Sequence, residues 1–228
     1  MKSLPSTLYK GKKLVYTSDS SITFYSLDYN EAYRAKSIGA FTESLHKFVR
    51  ASRVEDLIRE KDVLLLDMFL GAGYNLAVLL YYILKIPQRK RLFIVSIEKD
   101  ASLLEIIKKS YFLWPYEGFD LLRKLITQKK HENIYLELYI QDICDFIKNC
   151  NLTFDIIFFD PFSSKNNPGL WYYNMYRILY SLLNVRGKVV TYASSKKIIE
   201  DFEKAGFKAF SMPKIDGSFS ESSIFVKA

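Results

Sequence analysis

The sequence predicts an α/β fold that is built on a mostly parallel β-sheet. Short apolar runs bounded by polar turns recur along the chain, and helical patterns separate most of them, which is typical of βαβ units. The 228 residues are enough for one sizeable domain, and the hydrophobic share of 49% is ordinary for a globular protein. Seven strands are predicted, at residues 63–66, 92–97, 134–140, 154–159, 189–192, 208–212 and 223–226.

The connections between these strands have the lengths and patterns of helices. The last two strands lack a helix between them, so we expect a closing hairpin whose last strand is antiparallel to the rest of the sheet. Gly206 follows the last helical pattern at the position of a C-terminal cap, and the turn at Arg186-Gly187 precedes the fifth strand. The predicted helices cover residues 75–84, 101–112, 119–128, 170–183 and 197–205.

The first sixty residues follow a different pattern. Apolar residues at 14–16 and 22–25, with polar residues between them, predict a β-hairpin, and residues 40–49 predict a helix. We expect residues 1–60 to form a small extension that packs on one end of the sheet. Residues 61–228 are expected to be a single structural unit, because no internal repeat or linker divides them.

Composition restricts the classes of partner and cofactor. The net charge of +8 and the isoelectric point near 9.2 favour a polyanionic partner such as nucleic acid. Only two cysteines, Cys144 and Cys150, and two histidines occur, a set that matches neither a zinc pattern nor a disulfide framework. We therefore expect no metal, and a reducing, cytoplasmic location. No apolar run is long enough to span a bilayer, so a soluble protein is expected.

Acidic residues follow or end four of the predicted strands. They are Asp67, Glu98, Asp142 and Asp160. Because the carboxyl ends of parallel strands lie along one edge of a sheet, the four carboxylates are expected to meet at one crevice, where open α/β sheets bind their ligands.

A glycine-containing turn follows the first of these strands. Gly71 and Gly73 allow a tight turn and a close approach of the backbone to a ligand, and the next helix begins there with free N–H groups. Glu98 ends the neighbouring strand, where an acid commonly binds ribose hydroxyls. It follows Asp67 by 31 positions, against roughly 20 in the dinucleotide fingerprint. The pattern indicates a ligand of nucleoside type without fixing its identity.

The most informative segment is residues 160–168, with the sequence Asp-Pro-Phe-Ser-Ser-Lys-Asn-Asn-Pro. It follows an apolar run that is typical of a buried strand, yet it is too polar and too stiff for a core. Its position after a strand predicts the wall of a substrate pocket.

Three segments resemble the methyltransferase domain of the MnmC-type tRNA wobble-uridine modification enzymes, within the class I S-adenosylmethionine-dependent methyltransferases. Residues 160–171 resemble the family pattern Asp-Pro-Phe-Ser-Pro-Lys-x-Asn-Pro-x-Leu-Trp. Residues 39–46 resemble Gly-Ala-x-Thr-Glu-x-x-His, and residues 96–99 resemble Ser-x-Glu-Lys. The similarity extends from about residue 23 to residue 205. It implies a Rossmann-like fold and, because no room is left for the family's flavin-dependent oxidoreductase domain, the stand-alone form of the methyltransferase.

The resemblance also implies an activity and a cofactor. Such enzymes use S-adenosylmethionine to methylate the aminomethyl group on the wobble uridine of certain tRNAs. The implied cofactor residues are Gly71, Gly73 and Asn75 at the methionine moiety, Glu98 at the ribose hydroxyls, Asp142 at the adenine amino group, and Glu43 near the cofactor or the amine.

The acceptor side of the site is implied by the segment that begins at Asp160. This carboxylate would face the amine, orient it and accept a proton. Phe162 or Trp171 could stack on the wobble base, and a purely structural role for Trp171 is equally open. The implied substrate residues are Pro161, Phe162, Lys165, Asn167 and Trp171.

Two departures from the family pattern leave alternatives open. Phe69 replaces the first glycine of the family's turn, where a ring can crowd the cofactor or point away from it. Residues 220–223 lack the basic pair that usually occurs near the C-terminus. A diverged homologue that binds RNA without catalysis is one alternative. An aminopropyltransferase, with the same sheet and a decarboxylated relative of the same cofactor, is another, although a cationic polyamine gains nothing from a basic surface.

Overall fold

A computed structural model describes residues 8–9, 12–87, 89–212 and 222–228. Within these ranges the chain forms two β-sheets and eight α-helices. The strands are β1 Leu8–Tyr9, β2 Lys12–Tyr16, β3 Ile22–Ser26, β4 Glu31–Ala32, β5 Val63–Asp67, β6 Leu92–Glu98, β7 Lys130–His131, β8 Ile134–Ile140, β9 Phe154–Phe158, β10 Leu183–Thr191, β11 Phe207–Ser211 and β12 Ser223–Lys227. The helices are α1 Ala40–Ser44, α2 Val54–Glu60, α3 Tyr74–Ile83, α4 Ala101–Lys109, α5 Tyr116–Gln128, α6 Ile143–Asn149, α7 Tyr173–Ser181 and α8 Lys196–Lys204.

The main sheet confirms the predicted fold class. Its strand order is β11-β12-β10-β9-β5-β6-β8-β7, and the pairs from β10 to β8 are parallel. All seven predicted strands are present, and β12 is antiparallel to both β10 and β11, as expected for the closing hairpin. The two-residue strand β7, which pairs with β8 at the edge, was not predicted.

The central strands are apolar on both faces because helices cover both faces of the sheet. Alternate residues of β9 show this: Ile156 and Phe158 belong to one buried cluster, and Ile157 belongs to the other. Residues of α3, α4 and α5 contribute to the first cluster, and residues of α6, α7 and α8 contribute to the second. No helix in the described ranges is both long enough and apolar enough to cross a membrane.

Several element boundaries differ from the prediction. The short helices α2 and α6 were not predicted, and α7 begins three residues later than expected, after a 3₁₀ turn at Pro168–Leu170. The fifth strand was expected from residue 189, but β10 begins at Leu183. Arg186-Gly187 is an irregularity within this strand rather than a turn before it: Arg186 has a φ of 63°, and the pairing with β9 shifts register between Leu183 and Lys188.

The N-terminal residues form their own sheet, in the order β1-β2-β3-β4. The predicted hairpin corresponds to β2 and β3, and the predicted helix corresponds to α1 followed by a π-helical segment, Leu45–Arg50. This region shares the first buried cluster with the main sheet, for example through Phe48, whose ring centroid is 5.5 Å from that of Phe158. The expected difference at residues 220–223 lies partly outside the described ranges.

Candidate active site

A cavity of about 920 Å³ lies at the carboxyl ends of the central strands. This volume is within the range of roughly 300–1,000 Å³ that is typical of small-molecule sites. The strand ends and the turns that follow them form one side of the cavity, and residues of the N-terminal region, from Ser26 to Lys36 and at Glu43, form the other. The crevice expected at this edge is therefore present, and the N-terminal region encloses it.

Asp160 is a buried carboxylate in the cavity wall with two side-chain donors. It follows β9, its side chain is 8% exposed, and it forms an ion pair with the buried guanidinium of Arg34. Asn75, in the first turn of α3, donates a hydrogen bond from Nδ2 to Oδ2 of Asp160 at 2.8 Å. Burial raises the pKa of Asp160 to about 6, and the positive charge of Arg34 opposes that increase. The carboxyl therefore titrates just below neutral pH.

Arg34 was not identified from the sequence. It precedes Asp160 by 126 positions and lies in a loop between β4 and α1, so no local pattern links the two residues. Its guanidinium carbon is 5.3 Å from the centroid of the Phe48 ring, and its side chain is only 6% exposed. A buried arginine that faces a buried carboxylate is recognisable only in the folded chain.

Glu98 connects the second strand end to the glycine turn. Its Oε2 accepts a hydrogen bond from the backbone N–H of Gly71, and its Oε1 accepts one from that of Asp100, both at 2.8 Å. Burial raises the pKa of Glu98 from its ordinary value. Gly71 has a φ of 53°, and a Cβ there would lie 3.2 Å from Cδ1 of Tyr33. Glycine thus leaves open the space between the turn and the N-terminal region.

The expected convergence of four carboxylates is correct for three of them. Glu98, Asp142 and Asp160 line the cavity, whereas Asp67 does not line it and is 1% exposed. Ser96 donates a hydrogen bond from Oγ to Oδ2 of Asp67 at 2.7 Å. Burial raises the pKa of Asp67 to about 7. Asp67 is therefore a core acid rather than a wall residue.

Gly73 and Asn75 were both expected at the methionine moiety of the cofactor, but neither lines the cavity. Gly73 precedes α3 with a φ of 82°, and a Cβ there would be 3.0 Å from side-chain atoms of Ile107 and Leu122. Its lack of a side chain permits helix packing. The amide of Asn75 is directed at Asp160 instead. A contact of either residue with the cofactor stays a prediction.

Asp142 and Glu43 lie at opposite sides of the cavity. Asp142 is exposed and caps α6, because its Oδ1 accepts a hydrogen bond from the backbone N–H of Cys144 at 2.8 Å. Glu43 is buried in α1, and its Oε2 accepts a hydrogen bond from the backbone N–H of Ala35 at 2.8 Å. Both carboxylates thus have structural partners, and their roles toward a ligand stay predictions.

The segment after Asp160 contributes unequally to the wall. Pro161, Phe162 and Asn167 line the cavity, whereas Lys165 is exposed to solvent and Trp171 lies behind the segment. Trp171 donates a hydrogen bond from Nε1 to the backbone oxygen of Phe162 at 2.8 Å. Its ring also packs edge-on against two neighbouring aromatic rings, those of Phe159 and Tyr192. These contacts favour the structural role of Trp171.

Aromatic side chains line the side of the cavity next to the segment after Asp160. The ring of Phe162 is stacked on that of Tyr29, with centroids 4.5 Å apart and planes 20° apart, and it also contacts Tyr33 at 5.0 Å. Phe69, which replaces a glycine of the family turn, packs edge-on against Phe159 at 6.0 Å while it borders the cavity. The cavity has its volume of about 920 Å³ with this ring in its wall.

A carboxylate from the N-terminal region binds the same segment. Glu31 accepts hydrogen bonds from the backbone N–H and the hydroxyl of Ser163, the latter at 2.7 Å, and from Nδ2 of Asn166 at 2.7 Å. Like Arg34, this residue could not be found from sequence spacing. Together, Glu31 and Arg34 fix the N-terminal region to residues 160–168, which are called the acceptor segment because of their predicted role.

These residues fit S-adenosylmethionine, the cofactor implied by the resemblance. A carboxylate at the end of β6 can accept hydrogen bonds from ribose hydroxyls, and Asp142, beyond β8, can accept one from the adenine amino group. The space next to Gly71, which a Cβ would fill, allows the cofactor to approach the turn. The acidic wall also suits a ligand with a positive sulfonium.

Comparisons with known proteins identify the family and the fold of the chain. A family described as S-adenosyl-L-methionine-dependent methyltransferase matches residues 103–218, half of the chain. The crystal structure of MNMC2 from Aquifex aeolicus superposes with a TM-score of 0.83 at 30% sequence identity, covering 94% of this chain and 69% of that one. A class I methyltransferase from Listeria monocytogenes, at 13% identity and a TM-score of 0.51, shares the fold.

Two curated relatives extend the comparison. An uncharacterized protein of Methanocaldococcus jannaschii is 27% identical over 80% of this chain, and the tRNA 5-methylaminomethyl-2-thiouridine biosynthesis bifunctional protein MnmC of Campylobacter hominis is 30% identical over 75% of it. This chain spans 50% of the length of the first and 27% of the second. The chain belongs to the family of S-adenosyl-L-methionine-dependent methyltransferases, as an MnmC-type methyltransferase domain, and its cofactor is S-adenosylmethionine.

Proposed function

We propose that this protein transfers a methyl group from S-adenosylmethionine to the 5-aminomethyl nitrogen of the wobble uridine in tRNA, giving 5-methylaminomethyluridine. The observation that carries the proposal is the Asp160 carboxylate, which lies in the cavity wall and is oriented there by Arg34 and Asn75. The name of the Campylobacter relative, which refers to biosynthesis of a methylaminomethyl-2-thiouridine in tRNA, supports this acceptor.

The reaction requires alignment of the methyl group with the acceptor amine and removal of one proton from that amine. When bound, the cofactor supplies an electrophilic methyl group on its sulfonium sulfur. The acceptor amine forms the new N–C bond with its lone pair, the electrons of the S–C bond remain on sulfur, and the surplus proton of the amine must leave. Asp160, whose pKa is about 6, is mostly ionised at neutral pH and can accept that proton.

The remaining wall residues would orient the two reactants. Glu98 and Asp142 would bind the nucleoside part of the cofactor, and Glu43 lies where it can contact the cofactor or the amine. On the acceptor side, Phe162 and Asn167 would contact the uridine, and the Tyr29–Phe162 stack would exclude water from the reaction. Lys165, exposed on the same segment, would contact the tRNA backbone.

The charge of the chain supports a tRNA partner. A net charge of +8 provides the electrostatic attraction that RNA binding requires, and it disfavours a polycationic acceptor. The family match likewise favours a methyltransferase over an aminopropyltransferase. A tRNA substrate also agrees with the cytoplasmic location expected from the sequence.

The alternative of a non-catalytic RNA-binding homologue makes a different prediction. A protein without catalysis has no need for a buried carboxylate in its ligand cavity, yet Asp160 retains two donors at considerable desolvation cost. The aromatic ring at position 69 also leaves the cavity open. Both features favour an active enzyme.

The first experiment is calorimetric titration with S-adenosylmethionine, followed by transfer of a labelled methyl group to tRNA. The acceptor tRNA should carry 5-aminomethyluridine at the wobble position, and the same tRNA with unmodified uridine is the control. We expect micromolar cofactor binding and incorporation of label only into the first tRNA. Asp160→Asn should abolish incorporation while cofactor affinity stays within about threefold, because this carboxylate faces the amine. Cofactor binding without transfer to either tRNA would reject the proposal.

A further inference from the structure

The two hydrogen bonds to Asp160 are unequally distributed between its oxygens. In the part of the chain that the structure describes, Arg34 and Asn75 both donate to Oδ2, and no donor reaches Oδ1. The carboxylate is thus fixed by Oδ2, and Oδ1 accepts no hydrogen bond from the described residues.

We propose that Arg34 is a positioning residue of the methyl transfer: it binds one oxygen of Asp160, leaves the other for the acceptor amine, and by its charge keeps that amine neutral and nucleophilic. This inference rests on the proposed function. The N-terminal region, which contains Arg34, would then take part in the methyl transfer as well as enclose the cavity.

The surroundings of Arg34 make its charge effective. Its side chain is buried and lies over the ring of Phe48, so solvent screens the guanidinium little. Titratable groups from four other elements face the pair: Glu43 from α1, Asp67 from β5, Tyr74 from α3, and Tyr192 after β10. The buried Lys47 forms an ion pair with Glu43 at 3.5 Å. Glu43 and Asp67 both disfavour the negative charge of Asp160, and among the described residues Arg34 is the cation that pairs directly with Asp160.

The protonation of both reactants follows from this charge. Burial alone favours the neutral form of the Asp160 carboxyl, and Arg34 lowers its pKa so that it remains able to accept a proton near pH 7. The same positive charge disfavours an ammonium group next to it, so the acceptor amine loses its proton more readily. When an uncharged residue replaces Arg34, the Asp160 carboxyl and the acceptor amine should therefore both stay protonated up to a higher pH.

The test compares Arg34→Gln, Arg34→Lys and the wild type. Arg34→Gln keeps a hydrogen-bond donor without the charge, and Arg34→Met is the second uncharged variant should the first fail to fold. Arg59→Met is the matched control, because Arg59 is a half-exposed arginine on α2, away from the cavity. Calorimetric binding of S-adenosylmethionine checks that each variant is folded.

The first readout is a ¹³C NMR titration of aspartate-labelled protein without cofactor or tRNA, with Asp160→Asn for assignment. We expect the midpoint of Asp160 to rise by about one pH unit or more in Arg34→Gln and to stay near the wild-type value in Arg34→Lys and Arg59→Met. An unchanged midpoint in the uncharged variants would overturn the proposal.

The second readout is the single-turnover rate of methyl transfer as a function of pH. Its acid limb should move to higher pH in Arg34→Gln, whereas a merely structural defect would lower the rate equally at every pH and would overturn the proposal. Absence of transfer by the wild type would reject the proposed function instead. In that case the NMR titration still decides whether Arg34 controls Asp160.

Discussion

Asn75 donates a hydrogen bond to Asp160 across 2.8 Å, although the two residues are 85 positions apart in the chain. Asn75 belongs to the first turn of the helix that follows the glycine turn, and Asp160 follows β9. This bond therefore connects the helix that follows the glycine turn to the carboxylate after β9. Under the proposed function, a shift of the helix on cofactor binding would be transmitted directly to the carboxylate that is proposed to face the amine.

Replacing Asn75 by alanine should reduce methyl transfer more than cofactor binding. The change removes one donor from a buried carboxylate, and hydrogen bonds to charged groups contribute about 1.5–3 kcal/mol, so the single-turnover rate should fall roughly 10- to 100-fold. Cofactor affinity from calorimetry should stay within about threefold. Asn149→Ala, on the exposed face of α6, is the control. Weaker cofactor binding at an unchanged rate would instead assign Asn75 to the methionine moiety.

Removal of the Glu31 carboxylate should loosen the acceptor segment. Glu31→Ala eliminates the hydrogen bonds from Ser163 and Asn166, which connect this segment to the N-terminal region. We expect the KM for tRNA to rise roughly tenfold and limited proteolysis within residues 162–167 to become faster, with cofactor affinity retained. Glu200→Ala, at a half-exposed site on α8, should change neither quantity. Equal proteolysis rates in both variants would contradict this role.

The elements of the core could be predicted because their sequence patterns are local. Strands such as Val63–Asp67 and Ile134–Ile140 are apolar runs bounded by polar residues, and the structure confirms them. The helices α2 and α6 were missed because each has only seven residues, too few for a clear period. Asp142 is predicted as a strand end and, from the resemblance, as a ligand of the adenine amino group, but its cap of the following helix was not predicted.

Only some of the residues around Asp160 could be predicted from the sequence. Asp160 and its segment are marked by local sequence, but Arg34 and Glu31 reach them from more than 120 positions away. Contacts of that range depend on how the N-terminal region packs, and no spacing rule encodes them. Gly73 illustrates the opposite case: a glycine before a helix has the same pattern whether it admits a ligand or, as here, two side chains of neighbouring helices.

Asp67 should make the stability of the protein depend on pH. Its pKa is raised to about 7 in the folded state, above its ordinary value near 4, because burial disfavours the carboxylate. The folded chain thus binds the proton more tightly than the unfolded chain. The contribution of the neutral acid to stability is complete below pH 4 and is lost as the pH rises to about 7.

Thermal unfolding of wild type and Asp67→Asn between pH 4 and pH 8.5 tests this linkage. The variant cannot ionise, so its Tm relative to the wild type should increase by several degrees across this range and level off above pH 7. Asp62→Asn is the control. Its Tm relative to the wild type should not change with pH above pH 5, because Arg91 lowers the pKa of the exposed Asp62. A flat difference for Asp67→Asn as well would show that its carboxyl titrates normally.

The last prediction concerns the turn that begins the N-terminal helix. Gly39 has a φ of 109°, and a Cβ there would lie only 1.9 Å from Cγ of Asp19. Asp19 in turn accepts a hydrogen bond from the backbone N–H of Thr42 at 2.9 Å, so it stabilises the start of the helix that carries Glu43. Any side chain at position 39 must therefore displace Asp19 as well as strain the backbone.

Gly39→Ala should lower the free energy of unfolding by about 2–4 kcal/mol, because a strained φ and a displaced carboxylate are both unfavourable. Urea denaturation followed by circular dichroism measures this change. Gly169→Ala is the matched control: among the described residues, no heavy atom beyond its two chain neighbours lies within 4 Å of an added Cβ, so the free energy of unfolding should change by no more than about 0.5 kcal/mol. If both variants unfold at the same urea concentration as the wild type, the turn tolerates a side chain. The presence of glycine at position 39 would then need an explanation other than the close approach of Asp19.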